Sequence, residues 1–123
     1  MKIVSINQIN FGYKSILKTY WLEGKLPSVT HGIYGGELTK DNVTLEHLKP
    51  HSKKGRTVLN NLALSKNINN WQRSNKPISE FLNKELFEQY CEQFKGVKLP
   101  YFNGDNYIKE ITKTIERLLK QGK

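Results

Sequence analysis

The sequence predicts a single α+β domain, and three observations carry that expectation. Two apolar stripes at helical spacing occupy the C-terminal part, one at Ile78, Phe81, Leu82, Leu86, Tyr90 and Phe94, the other at Tyr107, Ile108, Ile111, Ile115, Leu118 and Leu119. Ahead of them, apolar runs of strand length at 43–48 and 62–64 are separated by polar, turn-rich segments. The length of 123 residues allows one modest core and not two large ones.

The elements follow in order. Residues 1–6 read as a short strand or an extended arm. From 11 to 22, Tyr13, Ile16, Leu17, Tyr20 and Trp21 recur near the helical period until Gly24 breaks it. Segment 25–36 holds Pro27 and three glycines and reads as loop. Between 37 and 48 a turn at Lys40, Asp41 and Asn42 joins two short apolar runs, which predicts a hairpin. A basic loop with Pro50 and Gly55 spans 49–60, a brief strand follows at 62–64, and 65–74 reads as a short helix carrying Asn70. Pro77 suits the first turn of a helix that runs to Gly96, and Asp105 is a suitable N-cap for the last helix. Both helical stripes are expected to face the core. There is no internal repeat, low-complexity tract or linker, so 1–123 is taken as one domain, with a motif-bearing core at about 30–77 and a helical part at about 77–121.

Charge narrows the partner. Twenty Lys and Arg residues stand against 11 Asp and Glu, a net charge of +9, and a surplus of that size favours a polyanion, because each cation at a phosphate releases condensed counterions. Only Arg56, Arg73 and Arg117 are arginines, so the charge suits backbone neutralisation better than bidentate base reading. Cys91 is the only cysteine, which excludes an intrachain disulfide and an all-cysteine zinc site; beside Tyr90 and Phe94 it reads as a buried spectator thiol. The N-terminus lacks the pattern of a signal peptide, and no run approaches the ~18 apolar residues of a membrane span. A soluble, cytoplasmic chain with no membrane partner is expected.

The segment richest in chemistry is Glu46-His47-Leu48-Lys49-Pro50-His51-Ser52-Lys53-Lys54-Gly55, followed by Asn60-Asn61-Leu62-Ala63-Leu64 and by Asn67-Ile68-Asn69-Asn70. Hydrolysis of a phosphodiester needs an in-line nucleophile, neutralisation of the phosphate and stabilisation of the leaving oxygen. A hard divalent cation supplies the last two, and an imidazole can deprotonate water for the first. Glu46 offers a hard oxygen ligand beside His47. Neighbours on a strand point to opposite sides, so a shared site asks for a distorted strand end.

These residues resemble the HNH endonuclease family, whose ββα-metal motif reads Glu-His-apolar-x-Pro-x-Ser-x-x-Gly, then a middle Asn, then a His or Asn near a helix start. The resemblance implies a fold of two antiparallel strands and a helix around one ion, flanked here by an N-terminal helix and two C-terminal helices. It implies that His47 is the general base, that Glu46 and Asn70 hold Mg²⁺ or Mn²⁺, and that Asn61 supports the loop or orients the His47 ring. Many relatives carry two Cys-x-x-Cys knuckles around a structural zinc. This chain has Gly32 to Leu38 and Lys66 to Asn69 in those places, all four cysteines being absent, so a zinc-free variant is expected, with Trp71, Tyr34 and the flanking helices replacing the lost packing.

Lys49, Lys53, Lys54 and Arg56 crowd the loop, and Arg73 and Lys76 extend a phosphate-gripping patch past Asn70. His51 contacts the phosphate or is simply exposed; Pro50 argues against its forming a helical zinc pair with His47. Trp21 and Trp71 either stack on bases or pack at the core and rim. The expected activity is metal-dependent endonucleolytic cleavage of DNA, most naturally double-stranded, with a homodimer or a protein partner left open. The alternative is a catalytically silent or partner-dependent HNH-fold protein that binds DNA, regulates a nuclease, or serves as a subunit of a larger defence or phage nuclease complex.

Overall fold

A computed structural model describes residues 16–121, the His51 side chain excepted. Helix α1 (Ile16–Leu22) precedes strand β1 (Val43–His47); a loop with two short 3-10 turns leads to β2 (Leu62–Lys66), and helix α2 (Asn67–Arg73) follows directly. Helices α3 (Ile78–Phe81) and α4 (Lys84–Glu92), a small hairpin of β3 (Lys98–Leu99) and β4 (Phe102–Asn103), and helix α5 (Gly104–Gln121) complete the described part. The fold is α+β, as the sequence predicts, and among the described residues no helix is long and apolar enough to cross a membrane. The expectation for residues 1–6, and the first turn of the expected 11–22 helix, lie outside the described residues.

Strands β1 and β2 pair antiparallel from Val43↔Lys66 to His47↔Leu62. This corrects one expectation. The run at 43–48 does not fold back on 37–38; Glu37 instead forms a single bridge with His31, and the partner of β1 comes from across the long loop. The turn at Lys40–Asn42 is real, closed by Asn42 Oδ1 accepting from Thr39 N at 2.8 Å. It positions β1 without making a hairpin, because the better hydrophobic partner is Leu62–Leu64, whose side chains are fully buried.

The apolar stripes of α4 and α5 meet β2 and the 25–38 segment in one core, built from Leu17, Leu26, Ile33, Leu48, Leu64 and Ile78 with Phe87, Tyr90, Phe94, Tyr107 and Ile111. The free edge of β2 is covered by polar tips of that core. Leu64 N donates to Tyr90 Oη (2.9 Å), Tyr107 Oη donates to Leu62 O (2.8 Å), and Ile33 N donates to Leu64 O (2.9 Å). A paired edge of this kind cannot recruit another strand. Burial pushes both phenols well above their ordinary value, so they remain donors. Gly32 must be glycine here, since a Cβ would lie 2.9 Å from Ser65 Cα.

Two helix boundaries differ from the sequence reading. The stripe from 78 to 94 is broken at Leu82, whose backbone is extended, and Asn83 starts a new helix by accepting from Leu86 N at 3.0 Å. A good cap residue inside a periodic stripe outweighs the stripe. At the last helix, Asn103 Oδ1 accepts from Asn106 N at 2.8 Å, and Asp105, expected as the cap, lies in the first turn and accepts instead from Gly96 N.

Candidate active site

The loop between β1 and β2 is closed by its own sequence. Pro50 O accepts from both Lys53 N and Gly55 N at 2.9 Å, and a side chain at position 55 would collide with the Lys49 carbonyl. Only glycine lets the loop turn back this tightly. Asn61 seals its base: Oδ1 accepts from Lys49 N (2.8 Å), while Nδ2 donates to Lys49 O (3.1 Å) and Arg56 O (2.9 Å). Leu48 N donating to Asn61 O at 2.9 Å extends the strand pairing by one step. Of the two roles open to Asn61, these bonds give it loop support.

β1 delivers Glu46 and His47 as neighbours, and the pairing stays regular through His47↔Leu62. The distorted strand end is therefore absent, and the two side chains meet different partners, as strand alternation requires. His47 Nε2 lies 3.0 Å from Thr57 Oγ1, on the loop. Glu46 is buried at 8% exposure, and its Oε2 accepts from Tyr34 Oη (2.5 Å) and Arg73 Nη1 (2.9 Å). Burial, then the Glu46 carboxylate, drive the Tyr34 phenol far above its ordinary value, so it stays a donor. Among the described residues, the hydrogen bonds of Glu46 fall on Oε2.

Arg73 overturns its sequence assignment. Expected in the phosphate-gripping patch, it is 1% exposed. Its guanidinium donates to Glu46 Oε2, to His47 O (3.0 Å), to Leu48 O (2.8 Å) and to Lys76 O (2.9 Å), besides Tyr34 Oη. A planar fork with five donors is suited to such a cluster of acceptors. It clamps the end of β1 to the end of α2. Asn70 lies three residues earlier on the same helix face. Its Nδ2 donates to Leu45 O at 3.2 Å, which fixes the amide orientation. Its Oδ1 is buried without a hydrogen-bond partner, the only such side-chain atom among the described residues.

Asn70, bonded to the Leu45 carbonyl, and Arg73, bonded to the Glu46 carboxylate, thus tie one face of α2 to the end of β1, while His47 lies beside Thr57 of the loop. Among the described residues no three His, Cys, Asp or Glu side chains gather as a ligand cluster. The ligands that the resemblance implies, Glu46 and Asn70, would offer one carboxylate oxygen and one carboxamide oxygen. This suits a hard cation that keeps several waters, such as Mg²⁺, and not a nitrogen- or thiolate-seeking metal. Lys49, Lys53, Lys54 and Arg56 are exposed around the loop. Lys76 is exposed too, with Nζ 5.8 Å from the Phe81 ring centroid. Trp71, expected to help replace lost packing, is 76% exposed and contributes none; Tyr34 does pack, edge-on to Phe81 at 4.8 Å. Trp21 is half-buried, with Nε1 donating to Val29 O at 2.7 Å. Burial pushes the Cys91 thiol up to about 11, in keeping with an unreactive group.

Sequence reasoning missed three contributors. Thr57 carries no local signal. Tyr34 was expected only to pack. The buried role of Arg73 was readable, since a cation three residues after Asn70 on a strand-facing helix has to find acceptors. The chain matches no known protein-family model, no curated protein and no solved structure.

Proposed function

We propose that this chain is a metal-dependent endonuclease of the HNH type that hydrolyses phosphodiester bonds of double-stranded DNA. The observation that carries the reading is the buried Oδ1 of Asn70, unpartnered among the described residues, on the same helix, α2, whose Arg73 holds the Glu46 carboxylate of β1. An oxygen buried without a donor costs about 1–3 kcal/mol, a cost a bound cation would remove. Mg²⁺ or Mn²⁺ held by Glu46 and Asn70 would supply charge neutralisation at the phosphate and stabilisation of the leaving 3′ oxygen.

The chain's own residues do the rest. His47 is the group that accepts the proton of the attacking water, and the contact of its Nε2 with Thr57 Oγ1 at 3.0 Å helps hold the ring. Arg73 fixes the His47 and Leu48 carbonyls, so the base does not drift with the loop. Tyr34 and Arg73 together hold Glu46 by one oxygen, Oε2, which leaves the other as the available ligand atom. Asn61 keeps the basic loop folded beside the base. The two segments where other members carry zinc knuckles lie against each other here, with Asn69 Nδ2 donating to Gly35 O at 3.1 Å. That amide contact supports a zinc-free reading.

Two observations favour a second reading. Pairing is regular through His47↔Leu62, so Glu46 and His47 leave β1 on opposite sides and no distorted strand end turns them to one ion. The Glu46 charge is already matched by a buried guanidinium at 2.9 Å, which weakens the carboxylate as a ligand and suits a silent HNH-fold module that binds DNA or works only with a partner. Conversion of supercoiled plasmid in Mg²⁺ or Mn²⁺ separates the two. The nuclease reading expects nicking that EDTA abolishes and that His47→Ala lowers by two to four orders of magnitude, on the order of 10²–10⁴ for a lost general base. Plasmid binding without nicking by the wild type would transfer the argument to the binding module.

A further inference from the structure

The loop cations do not end at the loop. Lys49, Lys54 and Arg56 line a cleft of about 310 Å³ whose far wall is Arg117 of α5, with Asn60 and Asn61 at its base and no carboxylate in its lining. Arg117 also lines an adjoining shallow hollow of about 420 Å³ with Lys113 and Lys120, together with Gln121 and Glu116. Positions 113, 117 and 120 follow helical spacing and share one face of α5.

The two walls are fixed to each other. Thr114 Oγ1 donates to Asn60 O at 2.8 Å, and Asn61 in turn holds Lys49 and Arg56. Of the cations around the cleft and hollow, only Lys113 has a salt-bridge partner among the described residues, Glu110 at 3.8 Å. Like charges gathered on a rigid frame repel one another. A phosphodiester chain relieves that repulsion and releases its own counterions.

From this arrangement we propose that the cleft and the Lys113–Arg117–Lys120 face of α5 form a track for the nucleic-acid backbone, leading the strand away from His47 along the last helix. The track takes phosphates without reading bases, because lysines, which act as point charges, dominate it. The identity of the polyanion rests on the nuclease reading. The geometry of the track does not, since it starts two residues beyond His47 and uses none of Glu46, His47 or Asn70.

The test is binding of a fluorescein-labelled DNA duplex by the full chain in EDTA, across a salt series. Arg117→Gln with Lys120→Gln is expected to flatten the slope of log K against log salt by about 1.8, at about 0.9 per lost phosphate contact. Affinity should fall about tenfold or more at moderate salt. Lys84→Gln with Lys95→Gln, the same charge removed from outside both hollows, should change the slope far less. Equal losses in the two pairs, or no loss in the first, would overturn the track, and so would polyglutamate competing as well as unlabelled duplex. Nicking is scored separately in Mg²⁺. A slope change without any nicking keeps the track and removes the nuclease reading, whereas nicking with an unchanged slope does the reverse.

Discussion

Arg73 and Arg117 carry the same group in opposite circumstances. Arg73 is buried, its donors shared among a carboxylate, a phenol and three peptide carbonyls. Arg117 is exposed, faces other cations across a cleft and meets no carboxylate there. A charge surrounded by acceptors in a low-dielectric interior sets geometry, because removing one partner leaves the others uncompensated. A charge in water beside like charges sets little geometry and adds instead to a long-range field. The floor of the candidate site is built in the first way and its rim in the second, and a sequence in which both are simply Arg does not distinguish them.

The largest effect is expected at the floor. Arg73→Met is expected to destabilise the fold by about 3–5 kcal/mol, the range for a buried ion pair deprived of one partner. Chemical denaturation monitored by tryptophan fluorescence would measure it. A loss no larger than that of Arg117→Gln would show the clamp to be ornamental. Next comes the hinge between the regions: Asn61→Ala leaves Lys49 N and two carbonyls without their partner and should cost about 1–3 kcal/mol, with faster amide exchange confined to the loop.

Alkaline pH sharpens the contrast. Tyr34, Tyr90 and Tyr107 titrate far above the ordinary phenol in the folded chain. The unfolded chain therefore loses these protons first, and the stability they contribute is complete below pH ~10 and falls as pH rises above it. Tyr34→Phe should make that fall shallower, read from denaturation midpoints on either side of pH ~10. The smallest effect is expected at the exposed Trp71, where Trp71→Ala should change stability by no more than ~0.5 kcal/mol; a larger loss would mean the ring packs in solution.

The last helical stripe was legible where amphipathic periodicity and burial coincide: Tyr107, Ile111, Ile115 and Leu118 are buried, whereas Leu119, expected on the same face, is 45% exposed. The break at Leu82–Asn83 was not, since a local cap competes with a stripe that continues across it. The pairing of β1 was misread because the nearest apolar run in sequence is not the best buried partner in space. At the site, the types of Glu46, His47, Asn61 and Asn70 drew attention through their spacing, but their division was hidden. Alternation along β1 separates Glu46 from His47, and it takes the folded chain to show that Tyr34 and Arg73 hold the first and Thr57 the second.

If the buried oxygen of Asn70 is a metal ligand, Mn²⁺ binding followed by electron paramagnetic resonance will show it. Wild type should take up one Mn²⁺, and Asn70→Ala should bind it at least tenfold more weakly while its metal-free stability stays within about 1 kcal/mol of wild type, as the loss of one hydrogen bond is offset by removal of the orphaned oxygen. Equal Mn²⁺ affinity in the two proteins would contradict the account and leave Asn70 as no more than a link between α2 and β1.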